Sequence, residues 1–558
     1  MFEQEIKKLL QKATNLKEIY LEVPPDNSLG DYAFPCFGLA KNMKKNPVEI
    51  AIGLKNKIKK TNSIEKIEAK GPYLNFFINK SKLAETIIKK ILREKNNYGK
   101  GKRKKEKIMI EYSQPNTHKE FHIGHLRNVC LGSSLANILR NQGYKTITSN
   151  YINDTGTHVA STLWAYLKFY KNKEPKANKG EWIGKVYVRS CQEIEKNPNY
   201  KKEVSTILKH LESNDKDIIQ LWKRTKDWSL IDFKKIYKIL DARFDIWFYD
   251  HELIKPSKDI ITRLKEKSIL QESQGALIAD LEKHNLHKVI LLKEDGTIPY
   301  ITKDLVLAFI KFNKYKIDNS IYVVDTRQSL HFQQLFKILE LYGFKQAKKC
   351  YHLSYAMVNL PSGTMSSRTG NVVLFMDIYK ETLNLAISET KKRHPDWDEN
   401  KILNTAKKIT IAAIKFEMIN VDNNKIILFD PKKAISFEGE TGPYIQYVHA
   451  RISSLLRKTK LPKKQILSLL KDDTEITLIK LLEEYPKKIS EAASNYKPSI
   501  LSNYLFELAQ QFNSFYSKQP ILRAEKEVKS ARLCLIIVVK SILNQGLSLL
   551  GIEAPERM

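Results

Sequence analysis

Two histidines three residues apart, His122 and His125, are the side chains best placed to do chemistry in this sequence of 558 residues. They stand at the start of a predicted helix, where free backbone N–H groups and the helix dipole favour a phosphate. Gly124 between them would let a flat base approach the backbone. Together these residues could bind ATP and stabilise charge on its phosphates while a bond to the α-phosphorus forms. A chance match to so short a pattern is the alternative, and a metal site is less favoured because the sequence has no HExxH motif or cysteine pair.

A second candidate lies far downstream, in the Gly- and Ser-rich segment Thr364–Gly370. It contains Met365, Ser366, Ser367 and Arg368. A loop of this composition that carries a cation could close on a triphosphate and open when pyrophosphate leaves. Taken alone, the segment would be interpreted as an ordinary polar turn.

The elements that must position the histidines follow the order strand, turn, helix, strand. Lys107–Ser113 is a β-prone run, the stretch after His125 carries apolar residues at helical intervals up to Gly143, and Lys145–Ile152 is β-rich again. This order predicts a right-handed βαβ unit with parallel strands, and so an α/β fold of Rossmann type.

The chain beyond this unit is predicted to alternate between helical and sheet-like regions. Residues 160–260 are interpreted as a mostly helical insertion. Three sheet-like segments come next, GALIAD, HKVILL and SIYVVD, and each is expected to lead into a helix.

Three domains are expected from length and patterning. Residues 1–92 are predicted to form a small α/β domain, separated by the basic turn Gly99–Lys107 from the next. Residues 101–432 are predicted to hold the parallel sheet with its insertion. Residues 433–558 are predicted to be all-helical, because apolar residues recur at helical spacing with few strand signals.

Composition points to a globular protein with a polyanionic partner. There are 95 Lys and Arg residues against 62 Asp and Glu residues, a formal net charge of +33, and such an excess favours binding to phosphates. A general enrichment in lysine is an equal alternative. No apolar run is long enough to span a bilayer. The five cysteines are widely spaced, which disfavours a disulfide framework and a cysteine zinc site.

With both candidate segments in view, the sequence resembles the class I aminoacyl-tRNA synthetases, whose HIGH and KMSKS signatures occur in this order. Neighbouring blocks are similar to those of arginyl-tRNA synthetases, and the sequence is identified as a member of that family. These blocks are GPYLNFFIN, EYSQPNTHKEFHIGHLRN, YINDTGTHVA, IPYITKDLVLA, VVDTRQSLHFQQLF, ISFEGETGPYIQYVHARI and LGIEAPERM.

The resemblance implies ATP-dependent attachment of L-arginine to its tRNA through an arginyl-adenylate, with Mg²⁺ neutralising the ATP phosphates. It also implies that residues 1–92 contact the tRNA and that residues 433–558 bind its anticodon. A cytoplasmic monomer without membrane association or a resident metal is expected. The alternative is a non-catalytic, synthetase-like RNA-binding protein.

The resemblance further assigns an arginine pocket, with His125 near the amino and carboxylate end of the substrate. By motif match the other arginine-binding positions are Glu111, Asn116, Tyr300, Asp304 and Gln328. Asp304 is our choice for the paired contact to the guanidinium, because a carboxylate matches its planar fork of donors. The alternatives are an exposed strand residue for Glu111 and a helix-terminal acid for Asp304.

The sequence departs from the family pattern in its second signature. TMSSR has Thr364 and Ser367 where KMSKS has lysines. Lys119 lies three residues before His122 and is a candidate to replace the missing loop cation. Gln114 also replaces the usual serine before Pro-Asn, a change expected to matter little.

Contacts to tRNA are expected at both ends of the chain. Asn75 and Phe76 lie in the block that resembles the N-terminal tRNA-contacting domain. Tyr444, Tyr447 and Arg451, with His449, are candidate stacking and phosphate contacts on the first C-terminal helix. An amphipathic helix that buries its tyrosines is the equal alternative.

Overall fold

The computed structural model describes residues 2–171, 173–361, 373–460 and 465–558. Thr364–Gly370 lies outside the described residues, so the prediction made for it stays a prediction. The chain forms two compact units. One contains Met1–Tyr98, Arg451–Tyr485 and Glu507–Ile542, and the other contains Gly99–Ala450, Pro486–Phe506 and Leu543–Met558.

The N-terminal part of the first unit is a three-stranded antiparallel sheet with helices. Its elements are α1 (Phe2–Thr14), β1 (Tyr32–Pro35), α2 (Phe37–Met43), α3 (Pro47–Lys57), β2 (Ile64–Lys70), β3 (Tyr73–Ile78) and α4 (Lys80–Glu94). The strand order is β1-β3-β2. The predicted strands on either side of Gly71 are confirmed, and Gly71 makes their turn with φ +59°. β1 was missed because it lies in a Pro- and Gly-rich stretch, where its proline is tolerated at the sheet edge.

The predicted βαβ unit is confirmed in the second unit. It consists of β4 (Lys107–Glu111), α5 (Ile123–Asn141) and β5 (Lys145–Ile152), and the two strands pair in parallel from Lys107 opposite Lys145 to Glu111 opposite Ser149. The middle residues of β4, Ile108–Ile110, are buried, as expected for a central strand with both faces covered.

The predicted insertion, residues 160–260, is helical except near its C-terminal end. Its helices are α6 (Thr157–Ala165), α7 (Lys179–Lys196), α8 (Tyr200–Glu212) and α9 (Lys216–Ile239). The prediction was wrong at β6 (Ile246–Tyr249), which pairs in parallel with β5 and continues the central sheet. A four-residue aromatic run carries too little periodicity to separate a strand from a buried helix. The helix α10 (Ile254–Glu266) follows.

Two of the sheet-like segments belong to a separate antiparallel sheet of β7 (Leu270–Ser273), β8 (Ala276–Ala279) and β9 (Val289–Leu292). The expectation that GALIAD leads into a helix was wrong, because only the three-residue 3₁₀ turn Glu282–His284 follows it. The segment HKVILL does lead into a helix, α11 (Tyr300–Tyr315).

The central sheet is completed by β10 (Asn319–Asp325) and β11 (Cys350–Tyr355), which flank α12 (Ser329–Tyr342). Its order is β11-β10-β4-β5-β6, and all its pairings are parallel. The carboxyl ends of β4, β5 and β10 therefore share one edge of the sheet, which is where parallel α/β sheets bind ligands.

The remainder of the described chain is almost entirely helical, and the prediction of helices alone for residues 433–558 is confirmed for the residues that the structure describes. Its elements are β12 (Val358–Asn359), α13 (Phe375–Arg393), α14 (Glu399–Ile419), β13 (Ile427–Leu428), α15 (Pro431–Ala434), α16 (Gly442–Arg457), α17 (Asp473–Ser494), α18 (Pro498–Lys518) and α19 (Lys526–Leu549). By length and composition α19 could cross a membrane, but 61% of its most apolar window is buried inside the protein, as in a core helix.

Close packing of α5 against β4 depends on Gly132. A Cβ at this position would lie 2.3 Å from Cγ of Tyr112, a buried ring whose hydroxyl donates to the Arg243 carbonyl at 2.9 Å. We expect Gly132→Ala to destabilise the protein by about 1–3 kcal/mol, the usual cost of overpacking. Gly53→Ala is the matched control, because no atom lies within 4 Å of that Cβ in α3. The control should stabilise by about 0.5–1 kcal/mol through helix propensity. Thermal unfolding of both variants checks this, and equal melting temperatures would contradict it.

Candidate active site

The two predicted histidines interlock at the start of α5. The Nδ1 atom of His122 accepts from the Gly124 N–H at 3.1 Å, and the His122 N–H donates to Nδ1 of His125 at 3.3 Å. Their rings stack with centroids 3.8 Å apart. A Cβ at position 124 would lie 2.9 Å from Cε1 of His122, so the close approach of this ring requires glycine. The arrangement caps the helix and fixes both imidazoles.

Both imidazoles are held neutral. Burial, and then Arg327 and Lys119, lower the pKa of His122 to about 4. Burial, followed by His122 and Lys119, lowers the pKa of His125 well below its ordinary value. At pH 7 the pair can therefore donate and accept hydrogen bonds, but it supplies no positive charge.

Two cations lie near this pair. Lys119 places its ammonium 4.8 Å from the ring centroid of Tyr187. Arg327 was not predicted. It follows β10, and Asp325 orients it through an Nε–Oδ1 contact of 2.9 Å. Its position just after the carboxyl end of a parallel strand was the available signal in the sequence.

The chain that follows the undescribed residues 362–372 returns to the histidine turn. The Ile123 N–H donates to the Val373 carbonyl at 3.2 Å, and the Phe375 N–H donates to the Phe121 carbonyl at 3.0 Å. These bonds hold the start of α13 against the residues that lead into α5. Met365, Ser366, Ser367 and Arg368 lie outside the described residues.

An amide–phenol cluster joins the ends of β4 and β5 to the start of α11. The Asn153 Nδ2 donates to Oδ1 of Asn116 at 2.6 Å and to the Tyr300 hydroxyl at 3.0 Å. The structure therefore brings together Asn116 and Tyr300, two of the predicted arginine-binding residues, through Asn153, which was not predicted.

Asp304 lies one helical turn after Tyr300, and its Oδ2 is 2.7 Å from Nε2 of His331. His331 is on the first turn of α12, three residues after Gln328, which is exposed at the N-cap position. This spacing puts Gln328 and His331 on the same side of the helix. The pairing of Asp304 with His331 was missed because only the fold brings α11 and α12 together.

Glu111, the remaining predicted arginine-binding residue, is buried at the end of β4. Its Oε2 is 2.7 Å from the Lys311 ammonium, and its Oε1 accepts from Nε2 of Gln114 at 2.9 Å. The buried Asp250 makes a similar pair with Lys303 at 2.5 Å and accepts from the Tyr151 hydroxyl at 2.7 Å.

Tyr151 lies near these acids and donates a hydrogen bond to one of them, Asp250. Burial, and then Asp250, Asp304 and Glu111, raise the pKa of this phenol well above its ordinary value. The phenol therefore stays protonated in the midst of three carboxylates. A group of carboxylates of this kind suits a cationic ligand with several N–H donors.

Comparisons with known proteins agree with this geometry. The family model described as the catalytic domain of class I (R) tRNA synthetases matches residues 87–429. The arginyl-tRNA synthetase N-terminal domain matches residues 1–78, and the DALR anticodon-binding domain matches residues 445–558. The chain belongs to the class I arginyl-tRNA synthetase family.

Individual relatives are similar over nearly their whole length. The chain is 39% identical over 548 residues to an arginine–tRNA ligase of Clostridioides difficile (strain 630), with 97% of this chain and 96% of that protein covered. It is 38% identical over 557 residues to one of Halothermothrix orenii, with 98% and 97% covered. The structure superposes on that of Thermus thermophilus arginyl-tRNA synthetase with a TM-score of 0.85, at 27% identity and with both chains fully covered. The predicted fold class is thereby confirmed.

In this arginyl-tRNA synthetase family member, two predicted tRNA contacts are corrected. Asn75 and Phe76 lie in the central strand β3 and are only 4% and 0% exposed, so they form part of the core. Tyr73 and Phe77 of the same strand are partly exposed instead. The block was recognised correctly, but its pattern does not tell which strand has neighbours on both sides.

The candidates on α16 divide in a similar way. His449 is buried, and its Nδ1 lies 2.9 Å from the Pro555 carbonyl, so it has a structural role. Tyr444 and Tyr447 are partly exposed, and each packs on a phenylalanine. Arg451 donates to Oδ1 of Asn513 at 2.8 Å.

Glu120, next to Lys119, is an acid whose environment opposes ionisation. It lines a cavity of about 280 Å³ between α9 and the start of α13, and its Oε1 is buried without a hydrogen-bond partner among the described residues. Burial raises the pKa of Glu120 to about 7; Lys185 lowers it in part, and Glu181 and Asp377 raise it further.

Stability should therefore depend on pH through Glu120. Because the pKa is higher in the folded state than the ordinary value of 4.5, folding favours the protonated form, and stability is lost as the pH rises from 4.5 through 7. We expect Glu120→Gln to stabilise by about 1 kcal/mol at pH 8, a value reduced because the group is only partly buried, and by little at pH 4.5. Glu193→Gln is the control, since Glu193 pairs with Lys196 at 3.2 Å and is not among the charges that shift the pKa of Glu120. Melting curves at both pH values check this, and an equal effect of Glu120→Gln at both would contradict it.

Proposed function

We propose that the protein attaches L-arginine to its tRNA in two steps. An oxygen of the arginine carboxylate attacks the α-phosphorus of ATP, and the bond to the leaving pyrophosphate breaks, giving arginyl-adenylate. The 2′-hydroxyl of the terminal ribose of the tRNA then attacks the arginyl carbonyl carbon and releases AMP. One observation carries this function: the neutral histidine pair and the group of carboxylates near Tyr151 occur in one unit, at the carboxyl edge of the same sheet.

The first step requires positioning and charge stabilisation, with no covalent enzyme intermediate. His122 and His125 donate hydrogen bonds to the phosphates from the start of α5, where the helix dipole adds positive potential. Positive charge comes from Lys119 and Arg327. Mg²⁺ accompanies ATP, because this ion is usually bound through substrate phosphates rather than through a protein cage. Met365, Ser366, Ser367 and Arg368 are proposed to close over the triphosphate.

Arginine binds beside the group of carboxylates near Tyr151. Asp304 takes the guanidinium, with Tyr300 and Gln328 beside it. Asn116 and His125 lie toward the amino and carboxylate end of the substrate, and Glu111 contributes negative charge from the end of β4. Contacts among these residues support this assignment, since Asn153 joins Asn116 to Tyr300.

The tRNA is proposed to contact all three sequence domains. Residues 1–92 bind its body, residues 101–432 bind the acceptor end, and residues 433–558 bind the anticodon. Tyr444, Tyr447 and Arg451 remain candidate contacts, and the net charge of +33 supports a polyanionic partner. We further propose that the protein acts as a monomer in the cytoplasm, without membrane association.

Aminoacylation of bulk tRNA with each labelled amino acid tests the function. Incorporation of arginine alone is expected. The alternative, a non-catalytic RNA-binding protein, predicts tRNA binding without incorporation, and incorporation of another amino acid would overturn the proposed specificity.

Removing the charge of Asp304 tests the pocket. Asp304→Asn keeps the shape, so we expect a loss of about 1.5–3 kcal/mol in arginine binding, the range for hydrogen bonds to charged groups. The Michaelis constant for arginine should rise while that for ATP is unchanged. An unchanged arginine constant would remove Asp304 from the pocket.

Lys119 is expected to replace the missing loop lysine. Lys119→Ala should slow arginyl-adenylate formation by about 10²–10³ in single turnover, the cost of losing one transition-state donor, with little change in arginine affinity. Adding Ser367→Lys should restore part of the rate. The control is Lys235→Ala. Lys235 and Lys119 both line the cavity described for Glu120, but the Lys235 ammonium pairs with Asp232 at 2.8 Å. If Lys119→Ala stays within about twofold of the parent, a difference of about 0.4 kcal/mol, the assignment fails and Arg327 or Arg368 is next.

A further inference from the structure

Each carboxylate around Tyr151 has one basic partner, but the three partners differ in kind. Glu111 pairs with Lys311, and both side chains are buried. Asp250 pairs with Lys303, also buried. Asp304 alone among the three pairs with an imidazole, that of His331, and this pair is partly exposed.

The difference decides which acid can receive a guanidinium. An ammonium at 2.5–2.7 Å neutralises its carboxylate, and a buried lysine cannot leave without stranding its partner's charge. A neutral imidazole can donate a hydrogen bond through one ring nitrogen without adding a positive charge. Asp304 can therefore be held in place by His331 and yet present a full negative charge to an incoming cation.

The position of His331 fits this role. It lies three residues after Gln328 on the same side of α12, so both side chains face α11. Gln328 is itself a proposed arginine-binding residue. Its ring packs edge-on against Phe332 with centroids 5.3 Å apart, and Phe332 in turn stacks on His352 at 4.5 Å. The imidazole is thereby fixed in direction toward Oδ2 of Asp304.

We propose that His331 is a positioning residue that sets arginine affinity: it orients the Asp304 carboxylate for the guanidinium without permanently neutralising it. This inference rests on the proposed function, since it needs Asp304 to be the guanidinium ligand. His331 acts only through Asp304 and touches no reacting atom.

Three substitutions separate orientation from charge. His331→Leu removes the hydrogen bond, and the Michaelis constant for arginine should rise about 10- to 100-fold, as for a lost hydrogen bond to a charged group. His331→Gln retains an N–H donor and should stay within about threefold of the parent. His331→Lys retains a donor but adds a permanent charge, so its constant should rise at least as much as that of His331→Leu. The turnover number should change little in all three, because the lost interaction is one of ground-state binding.

Arginine-dependent pyrophosphate exchange with tRNA present measures these constants. Gln334→Ala is the matched control. It removes a buried hydrogen bond from the same helix, that of Nε2 to the His287 carbonyl at 3.0 Å, without touching Asp304. The control should leave the arginine constant unchanged. An effect as large as that of His331→Leu would show a general packing role and overturn the inference.

The double variant His331→Leu, Asp304→Asn tests whether His331 acts through Asp304. Its arginine constant should equal that of Asp304→Asn alone. The inference would be overturned if the two substitutions raised the arginine constant additively. It would also be overturned if the arginine constant of His331→Lys equalled that of the parent, or if that of His331→Leu stayed within about twofold of the parent. If Asp304→Asn itself has no effect, the proposed pocket fails. If Asp304→Asn acts and the His331 variants do not, only this inference fails.

Discussion

A buried guanidinium holds the helix α5 in place. Arg127, two residues after His125 on α5, is fully buried and donates to the carbonyls of Ala356, Lys425 and Asn423. Burial lowers its pKa to about 10, still high enough to keep the charge. Backbone carbonyls therefore accept hydrogen bonds from both terminal nitrogens of the cation, which is the compensation that a buried charge requires. Arg127 thereby ties α5 both to the chain before β12 and to the chain before β13.

This tie matters because the site is assembled from separate loops at one sheet edge. The parallel order of β4, β5 and β10 places Glu111, Asn153 and Asp325 at neighbouring strand ends. The histidine turn then receives the Val373–Phe375 segment through backbone hydrogen bonds. With α5 held by Arg127, both sides of the proposed triphosphate site are fixed relative to the sheet, which is the preorganisation that electrostatic catalysis requires.

Features that depend on short stretches of sequence were predicted, whereas contacts between residues far apart in the chain were missed. The βαβ unit, the histidine pair and the helical C-terminal region all follow from periodicity and turn residues within short stretches. His331 and Asp304 are 27 residues apart, and Arg127 and Ala356 are 229 apart, so only the fold reveals those pairs. Burial explains the errors at Asn75 and Phe76, since whether a strand is central depends on where β1 pairs. The proposed arginine-binding residues were assigned by resemblance to the family. A motif match identifies the positions of such residues, but it does not identify their ion-pair partners.

The net positive charge of the protein disfavours the binding of a cationic substrate, and the ion pairs inside the protein offset this effect. A protein of charge +33 attracts ATP and tRNA but repels arginine, which is itself a cation. At physiological salt the Debye length is about 8 Å, so surface lysines beyond that distance contribute little inside the pocket. The local balance then decides binding. Lys303 and Lys311 each pair with a carboxylate of their own, so the Asp304 carboxylate, held by His331, supplies the negative charge for the substrate. A strongly basic protein can therefore bind a basic substrate, because the pocket's charge is set by pairs a few ångströms apart and not by the total.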